Sequence, residues 1–322
     1  MCSETGAPET TKTAGRAAAV QPDVPADLPL ELEAAPCPHG CAADADTVLH
    51  EFGRFRICRC GHCGLVRLNP RLAAAQLAEF YEREYFSGDH ATGYDSYEAD
   101  APLYEKTFAR RMRLIRRFKQ GGRLLDIGCG LGYFLNVAAR AGFDVYGLDL
   151  SRYAVARCEE RFPGRVQCGL LTPGLFPDQC FDVVTMFDLF EHVYQPHEFL
   201  AALHAITRDD GLVVITTPNH RSLLSRVSGR RWVSYKLPEH VFYYTPETLT
   251  RMVAPLFHVE LIRAEGQYCS LEFLAERIKT LSQPAGRTLL RAVRLVGAGD
   301  VGIYVNSGSL TAVLSKRAVG LN

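Results

Sequence analysis

Residues Arg123–Ser151 read RLLDIGCGLGYFLNVAARAGFDVYGLDLS, and this stretch decides the fold. Leu124, Leu125 and Ile127 form a short apolar run of the kind a buried parallel strand shows. The run carries Asp126 and breaks into Gly128, Gly130 and Gly132. These glycines permit a tight turn and let the backbone approach a ligand with no side chain between. Tyr133 to Ala141 has helical spacing, with Phe134, Val137 and Ala138 on one face. A second apolar run, Val145–Leu148, delivers Asp149 at its carboxyl end. Strand, glycine turn, helix, strand and acid make the first half of a nucleotide-binding αβ sheet. Asp149 lies 21 residues beyond Gly128, near the spacing of about 20 at which an acid meets a ribose hydroxyl pair. A glycine turn alone more often just packs a helix on a sheet. Here strand, helix and acid are in register, which favours a nucleoside-type cofactor.

The 322 residues are enough for one large or two small domains. Lys+Arg 36 balance Asp+Glu 36, so no global field draws the chain to nucleic acid. No apolar run approaches the ~20 residues of a membrane-spanning helix. Residues 1–35 are rich in Ala, Pro, Thr and Glu and lack periodicity, so they read as a disordered tail. They show neither the basic start nor the apolar stretch of a signal peptide. The 11 cysteines are therefore expected as reduced thiols or metal ligands, and the protein as cytoplasmic.

From Cys37 the character changes. Cys37-Pro-His-Gly-Cys41 is followed by Cys58-Arg-Cys60-Gly-His-Cys63, across a β-type linker with Phe52, Phe55 and Ile57. Two cysteine knuckles so joined have the arrangement of a zinc ribbon over residues 36–70. Cys37, Cys41, Cys60 and Cys63 are the best ligands for a structural Zn²⁺. The first pair is spaced C-x-x-x-C, one residue loose, which leaves His39, Cys58 and His62 as substitutes. Residues 71–120 read as a helical cap and linker. Leu77, Phe80, Tyr81 and Tyr85 recur at helical spacing, and Phe80, Tyr81, Tyr85, Phe86, Tyr94, Tyr97 and Tyr104 supply core or cover the cofactor cleft. Arg110, Arg111, Arg113, Arg116 and Arg117 read as a solvated helix face.

The alternation of strands and helices continues to residue 265. Phe181–Phe187 is a fourth strand, followed by Asp188-Leu-Phe-Glu191-His192-Val193. Ligands sit at the carboxyl ends of strands in open αβ sheets, so residues 187–192 face the cleft. Residues 218–245 interrupt the alternation with RVSGRRWVSYKLPEHVFYY; Trp232 among Arg226, Arg230, Arg231 and Lys236 suits an anionic acceptor. Thr245-Pro246-Glu247 opens a helix in N-cap order. Residues 266–322 read as two amphipathic helices and a last strand. The arginines at 287, 291 and 294 leave a membrane-surface or dimer contact open.

The pattern D-x-G-x-G-x-G over Asp126–Gly132, closed by Asp149, resembles the S-adenosylmethionine (SAM) site of class I methyltransferases. The dinucleotide fingerprint has its third glycine one residue later. FDVV…D-x-x-E-H-V over residues 181–193 resembles that family's fourth-strand segment. The passage from CPHGC through RCGHCGLVRLNPR to FYEREYF resembles the amino-terminal module of a zinc-ribbon subgroup, several members of which act on sugars or other natural-product precursors. The resemblance runs from about residue 37 to the end. It implies an α/β, doubly wound, mostly parallel seven-stranded sheet with an antiparallel last strand, preceded by a small zinc ribbon. It implies cofactor contacts from Asp126, Gly128, Gly130, Gly132, Tyr133, Asp149, Leu150, Leu170, Phe187 and Asp188. Many members carry an acid after the third strand for the adenine amino group. Cys168-Gly-Leu-Leu171 has none, which leaves backbone amides and Leu170 or Leu171.

The activity so implied is methyl transfer to a small-molecule or glycan-like acceptor at oxygen or carbon. Glu239-His240 resembles the Glu-His pair of some sugar C-methyltransferases, which carry a tyrosine where this chain has Leu237, Tyr235 being the nearest. His240 is the first candidate for an acceptor-side base and His192 the second, with Glu239 and Glu191 beside them. An RNA methyltransferase, a nicotinamide oxidoreductase and a non-catalytic SAM-binding protein are the rival readings. The oligomeric state is not read from the sequence.

Overall fold

The computed structural model describes residues 31–74, 76 and 100–317. The expected tail before residue 31 and the aromatic residues from Phe80 to Tyr97 lie outside them. The described chain opens with β1 (Leu32–Glu33), β2 (Asp46–Phe52), β3 (Phe55–Cys60), β4 (Val66–Leu68) and β5 (Arg71–Leu72). β2 and β3 are an antiparallel hairpin, and β4 pairs on the far side of β3. Phe55 and Ile57 point into a small core, as the period-two alternation of β3 requires.

The larger unit follows in alternating order: α1 (Ala101–Ile115), β6 (Gly122–Ile127), α2 (Tyr133–Arg140), β7 (Phe143–Asp149), α3 (Arg152–Glu159), β8 (Val166–Cys168), β9 (Phe181–Phe187), α4 (Pro196–Ile206) and β10 (Thr207–Pro218). After it come α5 (Leu223–Ser228), β11 (Phe242–Tyr243), α6 (Pro246–Val253), β12 (Phe257–Ser270), α7 (Leu271–Leu281), α8 (Gln283–Leu295) and β13 (Gly302–Lys316). Seven strands form one sheet in the order β12-β13-β10-β9-β6-β7-β8. β13 runs antiparallel to both neighbours, and β6 through β10 are mutually parallel. The expected doubly wound sheet with an antiparallel last strand is the one observed.

Apolar runs explain the centre of the sheet. Val183, Val184 and Met186 of β9 and Val213, Val214 and Ile215 of β10 are buried on both faces, as strands covered by helices must be. One helix layer packs through Phe134, Leu135 and Ala138, and the other through Leu200, Leu203 and Leu249. Thr245 and Thr248 close a capping box at the start of α6, with Pro246 in the first turn.

Two features differ from the sequence reading. β12 and β13 are longer than read, because they pair on past the sheet to Ser270↔Gly302 with α7 and α8 between them. The segment 218–245 is also not a free loop. Its strand β11 pairs with β4, so this segment completes the amino-terminal sheet in the order β11-β4-β3-β2. Trp232, 1% exposed, packs with Ile57, Val66, Leu68, Tyr235 and Tyr243 in that sheet's core. Burial removes Trp232 from the anion-binding role read from its neighbours.

Candidate functional site

The glycine turn lies between β6 and α2. Gly128, Gly130 and Gly132 all take positive φ (75°, 50° and 72°), where a side chain would be strained. The turn hangs from the neighbouring strand, with the N–H groups of Gly128 and Cys129 donating to the Leu148 carbonyl at 2.7 and 3.3 Å. A Cβ on Gly130 would meet nothing within 4 Å, so its open side faces free space, where a ligand can approach. Asp149, at the carboxyl end of β7, accepts from Gly130 N at 2.7 Å and Ser151 N at 2.8 Å. Burial pushes the Asp149 carboxyl up, and its backbone donors pull it back. Asp126 is 3% exposed and accepts from Thr185 Oγ1 at 2.6 Å; burial raises it to about 7.

The remaining cofactor candidates ring this turn. Tyr133 begins α2 and stacks on Tyr104, with centroids 6.1 Å apart. Phe187 ends β9 against Phe134 at 4.8 Å. Asp188 follows in a left-handed conformation, φ 55°, its N–H donating to Thr216 at 2.7 Å. Leu150 and Leu170 are exposed beyond the ends of β7 and β8, with Gly169 N bonded to the Asp149 carbonyl.

On the acceptor side, ligand atoms of Glu191, His192 and His240 all lie within 4.8 Å of one another, although 48 residues separate the two histidines. The imidazole rings meet edge to face at 4.6 Å. Val241 N donates to the Glu191 carbonyl at 2.9 Å, which fixes the two segments together. Glu191 is 1% exposed; its Oε2 accepts from Thr217 Oγ1 at 2.8 Å, and its Oε1 has no hydrogen-bond partner among the described residues. Burial raises Glu191 to about 8, with Asp188 adding to the shift. Burial lowers His192 to about 3 and His240 well below its usual value, Lys236 contributing to both. Glu239 is half-buried on the turn before His240.

Of the cysteines before residue 70, four come together. The sulfurs of Cys37, Cys41, Cys60 and Cys63 lie within 4.8 Å of one another, and Cys37 and Cys63 are 3.4 Å apart. Tetrahedral coordination at a Zn–S length of ≈ 2.3 Å sets sulfurs roughly 3.8 Å apart, so this donor set fits a closed four-thiolate site. For Cys60, burial opposes ionisation, but N–H donors of Cys63 and His62 and two neighbouring thiols outweigh it and bring the thiol to about 7. The substitutes stand outside: Cys58 bonds the Asn69 carbonyl, His62 is exposed, and His39 packs against His197.

Several residues of the site did not stand out in the sequence. By sequence Arg111 reads as part of a solvated arginine face, which holds for Arg113, Arg116 and Arg117. Arg111 itself is 5% exposed, lies 4.7 Å over the Phe187 ring and pairs with Asp188 at 3.5 Å. Its place on the same helical face as Met112 and Ile115 was the available signal. Thr185 and Thr217, each fixing a buried carboxyl, had none.

An open αβ sheet with a glycine turn, a strand-end acid and polar groups at the next strand end defines a nucleotide-cofactor enzyme of the doubly wound class. Residues 94–255, half of the chain, match the family model described as "Methyltransferase domain", and the chain belongs to that family. It is 34% identical over 145 residues to a ubiquinone biosynthesis O-methyltransferase of Aeromonas salmonicida, covering 41% of this chain and 60% of that one. It is also 34% identical over 134 residues to the mitochondrial counterpart of Schizosaccharomyces pombe, covering 39% and 46%. The chain thus spans about half the length of the curated relatives it matches. A solved SAM dependent methyltransferase from Archaeoglobus fulgidus is 24% identical, with TM-score 0.47, covering 69% of this chain and 99% of that one; the likeness is too loose to bear on the reaction. No helix among the described residues is long and apolar enough to cross a membrane.

Proposed function

We propose that the chain is a SAM-dependent methyltransferase acting on a hydroxyl of a small-molecule acceptor, phenolic or sugar-like. The observation that carries this reading is the Asp149 carboxylate, tied into the glycine turn through Gly130 N at 2.7 Å. That arrangement suits a ribose-bearing cofactor, and the names of the O-methyltransferase relatives support the reaction. SAM, when bound, supplies an electrophilic methyl group on a sulfonium. Asp149 would accept from its ribose hydroxyls, Gly128 to Gly132 would give close backbone approach, and Tyr133 and Phe187 would flank it. Leu150 and Leu170 would give apolar contact on the adenine side.

The acceptor's proton goes to Glu191. A general base works best with a pKa near the working pH, and Glu191 at about 8 is better matched than His192 at about 3. Its Oε1, buried and without a hydrogen-bond partner among the described residues, takes the proton while Thr217 holds Oε2. His192 and His240, kept neutral by burial, orient the hydroxyl. The four-thiol cluster holds structural Zn²⁺, and a reducing compartment such as the cytoplasm keeps its thiols available. The test is transfer of labelled methyl from SAM to a panel of phenols, catechols and sugars. Glu191→Gln is expected to lower the transfer at least about 10²-fold. A parent protein that labels no hydroxyl acceptor would overturn the reading.

A further inference from the structure

We infer that Arg71 is a positioning residue for the acceptor side, clamping the amino-terminal sheet onto the turn that carries Glu191 and His192. The inference rests on the proposed role of those groups. Arg71 is only 7% exposed, and its Nη1 donates to the Tyr194 carbonyl at 3.1 Å. Its guanidinium lies 4.2 Å over the Tyr194 ring, and the Tyr194 hydroxyl donates back to the Leu72 carbonyl at 2.9 Å. Arg71 Nε is held by Glu33 at 2.8 Å. The contact is therefore reciprocal: each partner donates to the other's strand or turn, and the planar cation covers the ring.

Tyr194 stands two residues after His192, so a clamp on Tyr194 fixes the turn bearing both acid–base candidates. The same sheet grips the opposing segment. Leu68 N donates to the Val241 carbonyl at 3.0 Å, next to His240, and Val241 N donates to Glu191 at 2.9 Å. Residues 66–72 thus touch both pieces of chain whose imidazoles meet at 4.6 Å. The clamp joins distant parts of the chain, since Arg71 and Tyr194 are 123 residues apart. Arginine suits the task better than lysine, which offers neither the flat face nor a fork that reaches Glu33 and Tyr194 together.

Behind the clamp His240 is 4% exposed and His192 half-buried, and the two imidazoles are faced by Glu191, Lys236, Glu239 and Tyr243. The test follows the ring protons of His192 and His240 by NMR between pH 5 and 8, in the full chain, with calorimetry of SAM binding alongside. In the parent the buried His240 ring is silent across this window. In Arg71→Ala, loosening of the turn admits water, and the His240 midpoint rises into the window. Arg71→Lys moves it less, and SAM affinity stays within about twofold in both. Tyr194→Phe, which removes a single hydroxyl, repeats the shift at smaller size and carries the test if Arg71→Ala does not fold. A His240 ring that stays silent in every folded variant, or that titrates near 6.5 in the parent, overturns the inference. The titration needs neither SAM nor acceptor, so a parent that bound no SAM would defeat the proposed function and leave this result standing.

Discussion

Replacing Asp149 with alanine probes the cofactor side most sharply. In the structure this carboxylate holds two backbone donors, Gly130 N at 2.7 Å and Ser151 N at 2.8 Å, and the proposed cofactor adds a ribose hydroxyl pair. Hydrogen bonds to a charged group contribute about 1.5–3 kcal/mol each. Loss of one ligand bond therefore weakens binding by about tenfold to a hundredfold at 1.4 kcal/mol per decade. Loss of both approaches a thousandfold, because water entering the space left by alanine offsets part of the sum. The fold survives, since Asp126 and Thr185 are untouched and the turn keeps its bonds to Leu148. Isothermal calorimetry with SAM, paired with thermal unfolding, separates the two effects. A mutant that unfolds as the parent does yet binds SAM equally well would refute the assignment of Asp149.

Other expectations follow from the same geometry. Gly130→Ala has room for its Cβ in the free protein but takes φ +50° and fills the ligand's approach, so calorimetry should show lost SAM binding with only a small fall in Tm. Metal analysis should find close to one zinc per chain; Cys60→Ser should lose it while Cys58→Ser keeps it. Hydrogen exchange in Cys60→Ser should rise over residues 235–244 as well as 37–70, because β11 belongs to the thiol-bearing sheet. Stability should fall as pH rises from about 6.5 to about 8. Asp126 and Glu191 bind protons more tightly folded than unfolded, so their contribution is complete at low pH and lost through about 7 and about 8. His192 and His240 act oppositely, losing stability as pH falls below 6.5. Glu191→Gln should flatten the upper part of the alkaline limb in thermal melts; an unchanged limb would contradict the burial assigned to Glu191.

The core of this fold was legible because it is written locally. Strand, glycine turn and acid over Arg123–Ser151, and the bounds Phe181–Phe187 and Leu271–Leu281, depend on neighbours a few residues away. The four thiols were legible because metal spacing is also local. What the sequence hid depends on pairing across long separations. Nothing near Phe242 announces that it pairs with Arg67, so the segment from 218 read as an open basic loop instead of the last strand of the thiol-bearing sheet. The ranking of acid–base groups shifted for the same reason. Residue type and position favour His240. Its burial, and that of Glu191, arises where segments 48 residues apart close on each other, and burial moves a carboxyl toward neutrality and an imidazole away from it.

The most direct measurement is calorimetric titration of the full chain with SAM, with NAD as the control. One SAM bound per chain, with no heat from NAD and a raised Tm in the presence of SAM, is the result predicted. Binding of NAD in place of SAM, or of neither, would contradict the account.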